Sequence, residues 1–345
     1  MRVFITGATG LLGHHIAERL RAHGHELTAL VRPTSDRSAL DRGRARCVVG
    51  DLLEPSSYRR ALDGCDALVH AAAFVVEPAG WPAYHRMNVE ATRHLFEAAA
   101  AAGLERALHV STVAVYGGVG RSGVRVTEET PTDRPVPEHD VYARSKRLAE
   151  EVVLEMHRAG AIDVRIVRPI LNYGERDRIV LPRVVRYVQS PVVFLVGPGT
   201  NRLAVTYAGN TADGAVLALI RPEASGRVYN LSDDFPITQK EFLARFAAGF
   251  DRDPTFVRLP YAAAYALGWL IEMLPGRLST RSGLNRRRVS LAGRPSPFSA
   301  ERARRELGWA PSVPHEEAIR RSVAWYRADG QKRGGEARAR EGARA

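Results

Sequence analysis

The sequence of 345 residues contains only two cysteines, Cys47 and Cys65, and both lie in its first fifth. Their number and spacing fit neither a disulfide framework nor a metal-ligand motif, so we expect a reducing, cytoplasmic setting and no metal site. The histidines do not change this expectation, because they are scattered over different elements without ligand spacing. We interpret these four as structural: His14, His15, His70 and His109.

We also expect neither a secretory leader nor a membrane-spanning segment from this sequence. The first residues, MRVFITGATG, enter a strand-like pattern directly, without the apolar core and small-residue cleavage site of a signal peptide. One apolar helical run, LPYAAAYALGWLIEMLP at 259–275, offers only about 14 helical residues, which is too short to span a bilayer.

Acidic residues are scarce relative to basic ones, with 38 Asp and Glu against 50 Lys and Arg and a net charge of +12. Such an excess can indicate an anionic partner, but no nucleic-acid-binding motif occurs, and a compositional bias toward arginine is the simpler explanation. The stretch 277–305 holds nine arginines and one acid, and its role stays open. The basic tail, 329–345, has few apolar residues, which predicts disorder.

A regular alternation of short apolar runs and helical patterns fills the first half of the chain, beginning with the strand RVFIT and the helix LLGHHIAERLRAHG. Near-continuous apolar strands alternating with helices predict an α/β fold, a doubly wound parallel-sheet Rossmann domain. We place this domain at 1–175, with later segments such as 203–221 returning to it. The less regular region 176–328 is predicted to be a smaller, discontinuous substrate-binding subdomain.

The most specific local signal is ITGATGLLG, in which three glycines stand three residues apart, directly after a strand and before a helix. Glycines at these places permit a tight turn, a close approach of the backbone to a pyrophosphate and close packing of helix on strand. The helix N-terminus adds N–H donors for phosphate. We therefore predict a dinucleotide-binding loop. Its candidate residues are Gly7, Thr9, Gly10, Leu11, Leu12 and Gly13.

The end of the second strand indicates which dinucleotide binds. An acid about 20 residues beyond the loop would bind the ribose 2′-hydroxyl of NAD, but the strand runs into Arg32 instead. A guanidinium can bind a 2′-phosphate bidentately, so NADP is favoured and NAD is the alternative. Asp36 would favour NAD if its side chain turned toward the loop.

The sequence YARSK places Tyr142 and Lys146 four residues apart, on one face of a predicted helix. An ammonium beside a phenol lowers the phenol's pKa, as a general acid/base tyrosine requires. The spacing alone occurs by chance in many helices, so only its context makes the pair a catalytic candidate.

That context is a series of motifs at suitable spacings: TGATGLLG, Asp51-Leu52, HAAA, NVEAT, STVAVYG, YARSK and RPILNYG. Together they resemble the extended short-chain dehydrogenase/reductases, or NAD-dependent epimerase/dehydratase family, from residue 1 to about residue 327. The resemblance implies that Tyr142 is the acid/base, that Lys146 assists it and holds the nicotinamide ribose, and that Thr112 supplies the substrate-orienting hydroxyl. Ser111 is the second candidate for that hydroxyl.

The resemblance also implies further cofactor contacts and the family's usual homodimer. Small side chains after the fourth strand leave room for the pyrophosphate and ribose, Asn88 supports the active-site backbone, and a proline lies near the nicotinamide. Besides the glycine loop and Arg32, the candidate cofactor-binding residues are Asp51, Leu52, Ala71, Ala72, Ala73, Asn88, Ser111, Tyr142, Lys146, Pro169 and Asn172.

The apolar run at 259–275 bears on the substrate. It is interpreted as a buried core helix, as a wall over a hydrophobic pocket, or as an interfacial helix that gives a peripheral membrane contact through 261–305. The order of motifs here is similar to the 3β-hydroxysteroid dehydrogenase branch, which implies interconversion of a secondary alcohol and a ketone on a sterol- or terpenoid-like substrate. The alternatives are a sugar-nucleotide epimerase, reductase or dehydratase and a non-catalytic NADP-binding sensor.

Overall fold

The computed structural model describes residues 1–75, 79–117, 125–138, 140–233, 235–273, 286–293 and 297–342. The chain divides into two compact units whose segments alternate along the sequence. Unit 1 consists of Met1–Asn172, Ala204–Asp234 and Ser296–Ser312. Unit 2 consists of Tyr173–Leu203, Phe235–Pro295 and Val313–Ala345. Much of the arginine-rich stretch, including Arg277, Arg281 and Arg294, lies outside the described residues.

A parallel sheet forms the centre of unit 1. The strands, numbered along the whole chain, are β1 (Arg2–Thr6), β2 (Glu26–Val31), β3 (Arg46–Val49), β4 (Ala67–His70), β5 (Arg106–Val110), β6 (Asp163–Pro169), β7 (Leu171–Tyr173), β8 (Val192–Val196), β9 (Val205–Tyr207), β10 (Val228–Leu231) and β11 (Thr255–Leu259). Seven of them form one sheet in the order β10-β6-β5-β4-β1-β2-β3. The order reverses between β1 and β4, and a ligand crevice is expected at their carboxyl ends.

The helices are α1 (Leu11–Ala22), α2 (Ser38–Arg42), α3 (Arg59–Leu62), α4 (Trp81–His85), α5 (Ala91–Ala101), α6 (Val141–Arg158), α7 (Leu181–Val188), α8 (Ala208–Ile220), α9 (Gln239–Gly249), α10 (Tyr261–Met273), α11 (Arg286–Gly293), α12 (Glu301–Leu307) and α13 (His315–Gly342). Short 3-10 turns lie at Pro55–Ser57, Val113–Tyr116 and Pro222–Ala224, and a π-helical turn, Arg86–Glu90, joins α4 to α5. Among the described residues, no helix is long and apolar enough to cross a membrane.

Helices cover both faces of the sheet, because successive strand residues point to opposite sides. On one face, Val3 and Ile5 of β1 pack with α1, α8 and α12. Trp309, which follows α12, belongs to this core and donates its indole N–H to the carbonyl of Asn210 at 2.9 Å. On the other face, Phe4 packs with α3, α5 and α6. The predicted doubly wound α/β fold is confirmed.

Unit 2 contains the small parallel sheet of β8 and β11 together with the helices α7, α9, α10, α11 and α13. Two of these helices begin where a polar side chain binds free N–H groups, as helix starts require. Buried Asp177 accepts the N–H groups of three residues at the start of α7, Ile179 at 2.9 Å, Val180 at 2.8 Å and Leu181 at 3.1 Å. At α9, Thr238 forms a capping box with Glu241.

The π-helical turn inserts one wider turn of backbone between α4 and α5, within a stretch whose apolar pattern is that of one continuous helix. The helix α13 continues into the basic tail as far as Gly342, and the disorder of the tail stays a prediction. Alanine, arginine and glutamate, which are frequent in the tail, all have high helix propensity. The substrate-binding role of 176–328 stays a prediction.

A buried ion pair joins α6 to β6 inside unit 1. The Nε atom of Arg168 donates to Glu150 Oε1 at 2.9 Å, and the guanidinium carbon lies 4.7 Å from the centre of the Tyr116 ring. The Tyr116 hydroxyl donates to Asn230 Oδ1 at 2.9 Å, which connects β10 to the same network. Burial disfavours the charged guanidinium, but Glu150 outweighs this effect and holds the pKa of Arg168 above its usual value.

We expect Glu150→Ala to lower the free energy of unfolding by about 3–5 kcal/mol, because it leaves the Arg168 charge buried without its carboxylate. Urea unfolding followed by circular dichroism measures this change. The matched control is the double variant Glu150→Met/Arg168→Met, which removes both charges and should lie much closer to the wild type. A loss below about 1 kcal/mol for Glu150→Ala would show that water or a neighbour compensates the charge.

Candidate active site

The glycine loop between β1 and α1 is held by close backbone contacts. Gly7 has a φ of +75°, and a Cβ atom placed on it would lie 2.6 Å from the backbone nitrogen of Ala72. A Cβ atom on Gly13 would overlap the carbonyl oxygen of Gly7. No side chain fits at either position without moving backbone. Gly10 precedes the first turn of α1, whose free N–H groups point out of the N-terminal end of the helix.

The other predicted loop residues surround this turn. Thr9, Leu11 and Leu12 are half-buried at the start of α1. Ala71 and Ala72 follow β4 and bring their backbone against Gly7, and their place beside the pyrophosphate stays a prediction. Ala73, the next residue, is exposed.

The ends of β2 and β3 form the part of the crevice predicted to bind the adenosine half of the cofactor. Arg32 follows β2 with an exposed side chain, and its backbone N–H donates to Ser35 Oγ at 3.2 Å. The Asp36 carboxylate accepts the N–H of Ser38 at 3.1 Å and its hydroxyl at 2.7 Å. Turning Asp36 toward the loop would break both hydrogen bonds, which leaves Arg32 as the candidate for the nucleotide-facing charge.

Asp51 and Leu52 follow β3. The Asp51 carboxylate accepts the N–H of Leu53 at 2.9 Å, and the Asp51 N–H donates to Ser57 Oγ at 3.0 Å. The carbonyl of Leu52 accepts the Tyr58 hydroxyl at 3.4 Å. These contacts fix the turn on which both predicted cofactor residues lie.

Helix α6 carries the predicted acid/base pair. Asp140 caps its start by accepting the N–H of Ala143 at 3.2 Å. Tyr142 and Lys146 follow one turn apart on one face of the helix. Tyr142 is half-buried and its ring centre lies 6.5 Å from that of Tyr84, in an edge-on arrangement.

Lys146 is buried, and two acceptors at the end of β5 hold its ammonium. Nζ donates to the carbonyl of Val110 at 2.8 Å and lies 3.2 Å from His109 Nε2. Burial lowers the pKa of Lys146 to about 8, so the ammonium form still dominates at neutral pH. An ammonium only donates, so His109 Nε2 must accept, which places the imidazole proton on Nδ1. Burial, and secondly the Lys146 charge, hold the pKa of His109 well below its usual value.

A second buried histidine fixes the end of β4. His70 Nδ1 lies 2.7 Å from Thr6 Oγ1, and His70 Nε2 lies 2.9 Å from Thr92 Oγ1. Because the Thr92 hydroxyl donates to the carbonyl of Asn88 at 2.7 Å, it must accept from His70 Nε2, and Nδ1 then accepts from Thr6. Burial lowers the pKa of His70 to about 3, which keeps this imidazole neutral.

Asn88 lies in the π-helical turn and connects three parts of the site. Its amide nitrogen donates to the carbonyl of Phe74 and to Ser145 Oγ, each at 3.0 Å. Its amide oxygen accepts the Phe74 N–H at 2.7 Å. Ser145 in turn donates to the carbonyl of Tyr142 at 2.8 Å. The hydrogen bonds of Asn88 therefore connect the segment after β4 to the helix that carries Tyr142, in agreement with its predicted supporting role.

Ser111 and Thr112 follow β5, beside the Lys146 acceptors. The Thr112 Oγ1 atom accepts the N–H of Ala114 at 3.2 Å, which leaves its own hydroxyl proton to donate. The Ser111 hydroxyl is buried and has no hydrogen-bond partner among the described residues. A buried polar atom of this kind needs an explanation, and a bound cofactor or water would supply its partner.

The remaining predicted residues lie at the end of β6 and just beyond it. Pro169 is buried there. Asn172 is engaged by protein groups, since its Oδ1 atom accepts the Thr211 hydroxyl at 2.7 Å and its Nδ2 atom donates to the carbonyl of Ile170 at 3.2 Å. These two contacts use part of the hydrogen-bonding capacity of Asn172.

Sequence reasoning interpreted His70 and His109 as structural and did not connect them to the site. The signal that could have found them is their place at the carboxyl ends of neighbouring parallel strands, where they pair directly in register. Thr6, Thr92 and Ser145 were also missed, because a single hydroxyl carries no pattern. Their contacts show that each supports the backbone of a predicted site residue.

Comparisons with known proteins identify the family of this chain. Residues 3–232 match the model of the NAD dependent epimerase/dehydratase family. A 4-hydroxy-2-methyl-3-oxo-4-farnesyl-3,4-dihydroquinoline-1-oxide ketoreductase from Stigmatella aurantiaca is 32% identical over 92% of this chain and 95% of its own. Sterol-4-alpha-carboxylate 3-dehydrogenase, decarboxylating, from Mus musculus is 26% identical over 92% of this chain and 89% of its own.

A solved structure supports the same assignment. The dTDP-glucose 4,6-dehydratase DesIV from Streptomyces venezuelae, with NAD and TYD bound, superimposes with a TM-score of 0.74 at 27% identity, covering 95% of this chain and 97% of its own. The family match extends over most of unit 1, and the relatives extend over nearly the whole chain. The chain therefore belongs to the NAD-dependent epimerase/dehydratase family and is an oxidoreductase of the short-chain dehydrogenase/reductase type.

Proposed function

We propose that this enzyme interconverts a secondary alcohol and a ketone on a hydrophobic, sterol- or terpenoid-like substrate, with NADP as the preferred cofactor. The observation that supports the proposed acid/base chemistry is the buried Lys146 ammonium. It contacts Val110 and His109 and lies one helical turn from Tyr142. A phenol beside a fixed, desolvated positive charge is suited to proton exchange with an alcohol oxygen.

The cofactor fits the residues present. The backbone cradle of Gly7 and Gly13 leaves room that a Cβ atom would fill, and the buried Ser111 hydroxyl lacks a partner among the described residues. When bound, the nicotinamide supplies or accepts the hydride. Arg32 offers a guanidinium for a 2′-phosphate, and Asp36 is occupied by Ser38.

Each catalytic side chain then has one task. In the direction of reduction, Tyr142 gives its proton to the substrate oxygen, and in oxidation it takes that proton back. Thr112 donates a hydrogen bond to the same oxygen, keeps its own proton and orients the substrate. Lys146 uses two of its three N–H donors on the protein, so the third is available to a ribose hydroxyl while its charge stabilises the phenolate.

The substrate class rests on the relatives and on local chemistry. The Stigmatella enzyme is named for a farnesylated ketone and the mouse enzyme for a sterol, which supports a hydrophobic substrate. A sugar-nucleotide dehydratase is the second candidate, supported by the similarity to DesIV. Elimination of water needs acid/base groups in addition to the tyrosine. The two residues that follow Thr112 are Val113 and Ala114, and neither of them supplies a carboxylate.

Turnover screening with Tyr142→Phe tests the chemistry and the substrate together. We expect oxidation of hydroxysteroids or reduction of ketosteroids, and we expect kcat to fall by about 10²–10⁴-fold in the variant, because the proton donor is lost. Tyr84→Phe, which removes a neighbouring phenol, is the matched control and should lose far less. Turnover of nucleotide sugars alone would reject the hydrophobic substrate. Cofactor binding with no turnover of either class would support a sensor.

Cofactor choice is tested at Arg32. We expect Arg32→Ala to raise the KM for NADPH by roughly tenfold and to leave the KM for NADH nearly unchanged, since only NADPH carries the 2′-phosphate. Arg37→Ala removes another exposed arginine of the same loop and is the matched control. Equal KM changes for the two cofactors would contradict the role of Arg32.

The pH profile tests the support that His109 gives to Lys146. At saturating reduced cofactor, we expect kcat/KM for ketone reduction to fall as the pH rises above about 8, where Lys146 loses its proton. The variant His109→Leu removes the acceptor and destabilises the ammonium. The fall in kcat/KM, which is the alkaline limb of the pH profile, should therefore occur about one pH unit lower. His109→Gln keeps an acceptor oxygen and should retain the wild-type limb. Identical limbs in both variants would refute this support.

A further inference from the structure

The exposed face of α10 is apolar along its whole length. Seven of its residues are exposed, and none of them carries a charge or a polar group outside the Trp269 indole N–H. The largest are Leu267 at 43%, Trp269 at 44%, Leu270 at 53% and Met273 at 68% exposure. The others are Ala262, Ala263 and Ala266. Exposed positions of a surface helix are ordinarily polar, so this face indicates a partner.

The geometry of the helix makes these residues one surface. At about 100° per residue, the seven positions fall on a continuous arc, and the opposite side holds Ala264 and Gly268, which are buried. Ala264 packs with Val196 and Val289 of the same unit. The single acid of α10, Glu272, lies off the exposed arc and is paired with Arg286. The inner side of α10 therefore packs within unit 2, and its outer side is exposed among the described residues.

The small sheet of the same unit also exposes apolar side chains. Val192, Phe194 and Val257 are 37%, 47% and 39% exposed. They share one sheet face with Val196 and Leu259, which pack in the cluster that contains α10. The apolar surface of α10 thus continues toward β8 and β11.

Charge is distributed unequally between the two units. Of the 50 basic and 38 acidic residues of the chain, unit 2 contains 23 and 11, and unit 1 contains 27 of each. Unit 2 therefore carries the whole net charge of +12. The unit with the uncovered apolar helix is also the cationic unit.

We propose that the exposed face of α10 docks onto the surface of an anionic lipid bilayer, with the positive charge of unit 2 attracted to the lipid headgroups. An apolar helix face on a cationic unit, with a tryptophan on that face, fits the membrane interface. With 13 residues, α10 is about 20 Å long and lies on a bilayer rather than crossing it. A second copy of the chain fits less well, because it would bring two strongly cationic units together.

Flotation with lipid vesicles tests this proposal on the purified full-length protein and needs no substrate. We expect binding to vesicles of equal parts phosphatidylcholine and phosphatidylglycerol, and much weaker binding to phosphatidylcholine alone. Ala266→Glu places a charge on the exposed arc and should lower the partition coefficient roughly tenfold. Ala248→Glu makes the same change at an exposed position of α9 and should stay within about twofold of the wild type.

The other outcomes overturn the proposal. Equal binding of the two variants, lost together at high salt, would show adsorption by charge alone without α10. Absence of binding to either vesicle by folded wild type would exclude lipid as the occupant. A dimer that Ala266→Glu converts to a monomer, measured by light scattering, would assign the face to a second copy.

A second pair of variants repeats the test without a change of charge. Leu270→Gln alters the exposed face of α10, and Ile179→Gln, its control, alters an exposed apolar residue elsewhere in unit 2.

Vesicle binding and turnover are measured independently of each other. Because flotation needs no reaction, its failure leaves the proposed reaction untouched, and inactivity toward every ketone leaves the lipid proposal untouched.

Discussion

The backbone at Gly7 lies so close to Ala72 and to Gly13 that the three segments after β1, after β4 and in α1 cannot move independently. This contact sets the distance between the helix N-terminus and the end of the fourth strand, which is the width of the crevice for a pyrophosphate. Thr6 strengthens the same junction, because it pairs in register with His70 and hydrogen-bonds to that imidazole. His70 in β4 is in turn paired in register with His109 in β5, and His109 contacts Lys146. The position of Lys146 therefore depends on the same junction.

Most of the polar groups beneath the site are buried and hydrogen-bonded. Among the described residues, the Ser111 hydroxyl and His109 Nδ1 are exceptions. Both imidazoles are neutral, and the cation beside them, Lys146, has acceptors on two sides. A desolvated ammonium acts more strongly on a nearby phenol than one in water, because the local dielectric is lower. Burial therefore costs stability at Lys146, and in the proposed mechanism the same burial strengthens the effect of its charge on the phenol of Tyr142.

Sequence patterns predicted what depends on local spacing. The glycine loop, the α/β alternation and the positions of Tyr142 and Lys146 on one helix face all follow from periodicities of about two to four residues. The pattern could not show that two histidines meet beneath the site, because this depends on which strands become neighbours. Nor could it show the π-helical turn that carries Asn88, since its residues continue a normal helical pattern. The sequence permits three interpretations of the apolar run at 259–275. It cannot distinguish them, because the exposure of Leu270 and Met273 is determined by the packing of the folded chain.

The alternation of the two units along the chain has a consequence for synthesis on the ribosome. Strand β10 and the segment that ends with Ser312 belong to unit 1, yet long stretches of unit 2 precede each of them. Trp309 is part of the core with α1 and α8, so this core is incomplete until residue 309 has been translated. Folding of the cofactor-binding unit during translation thus has to wait for most of the polypeptide, unlike a domain encoded in one piece.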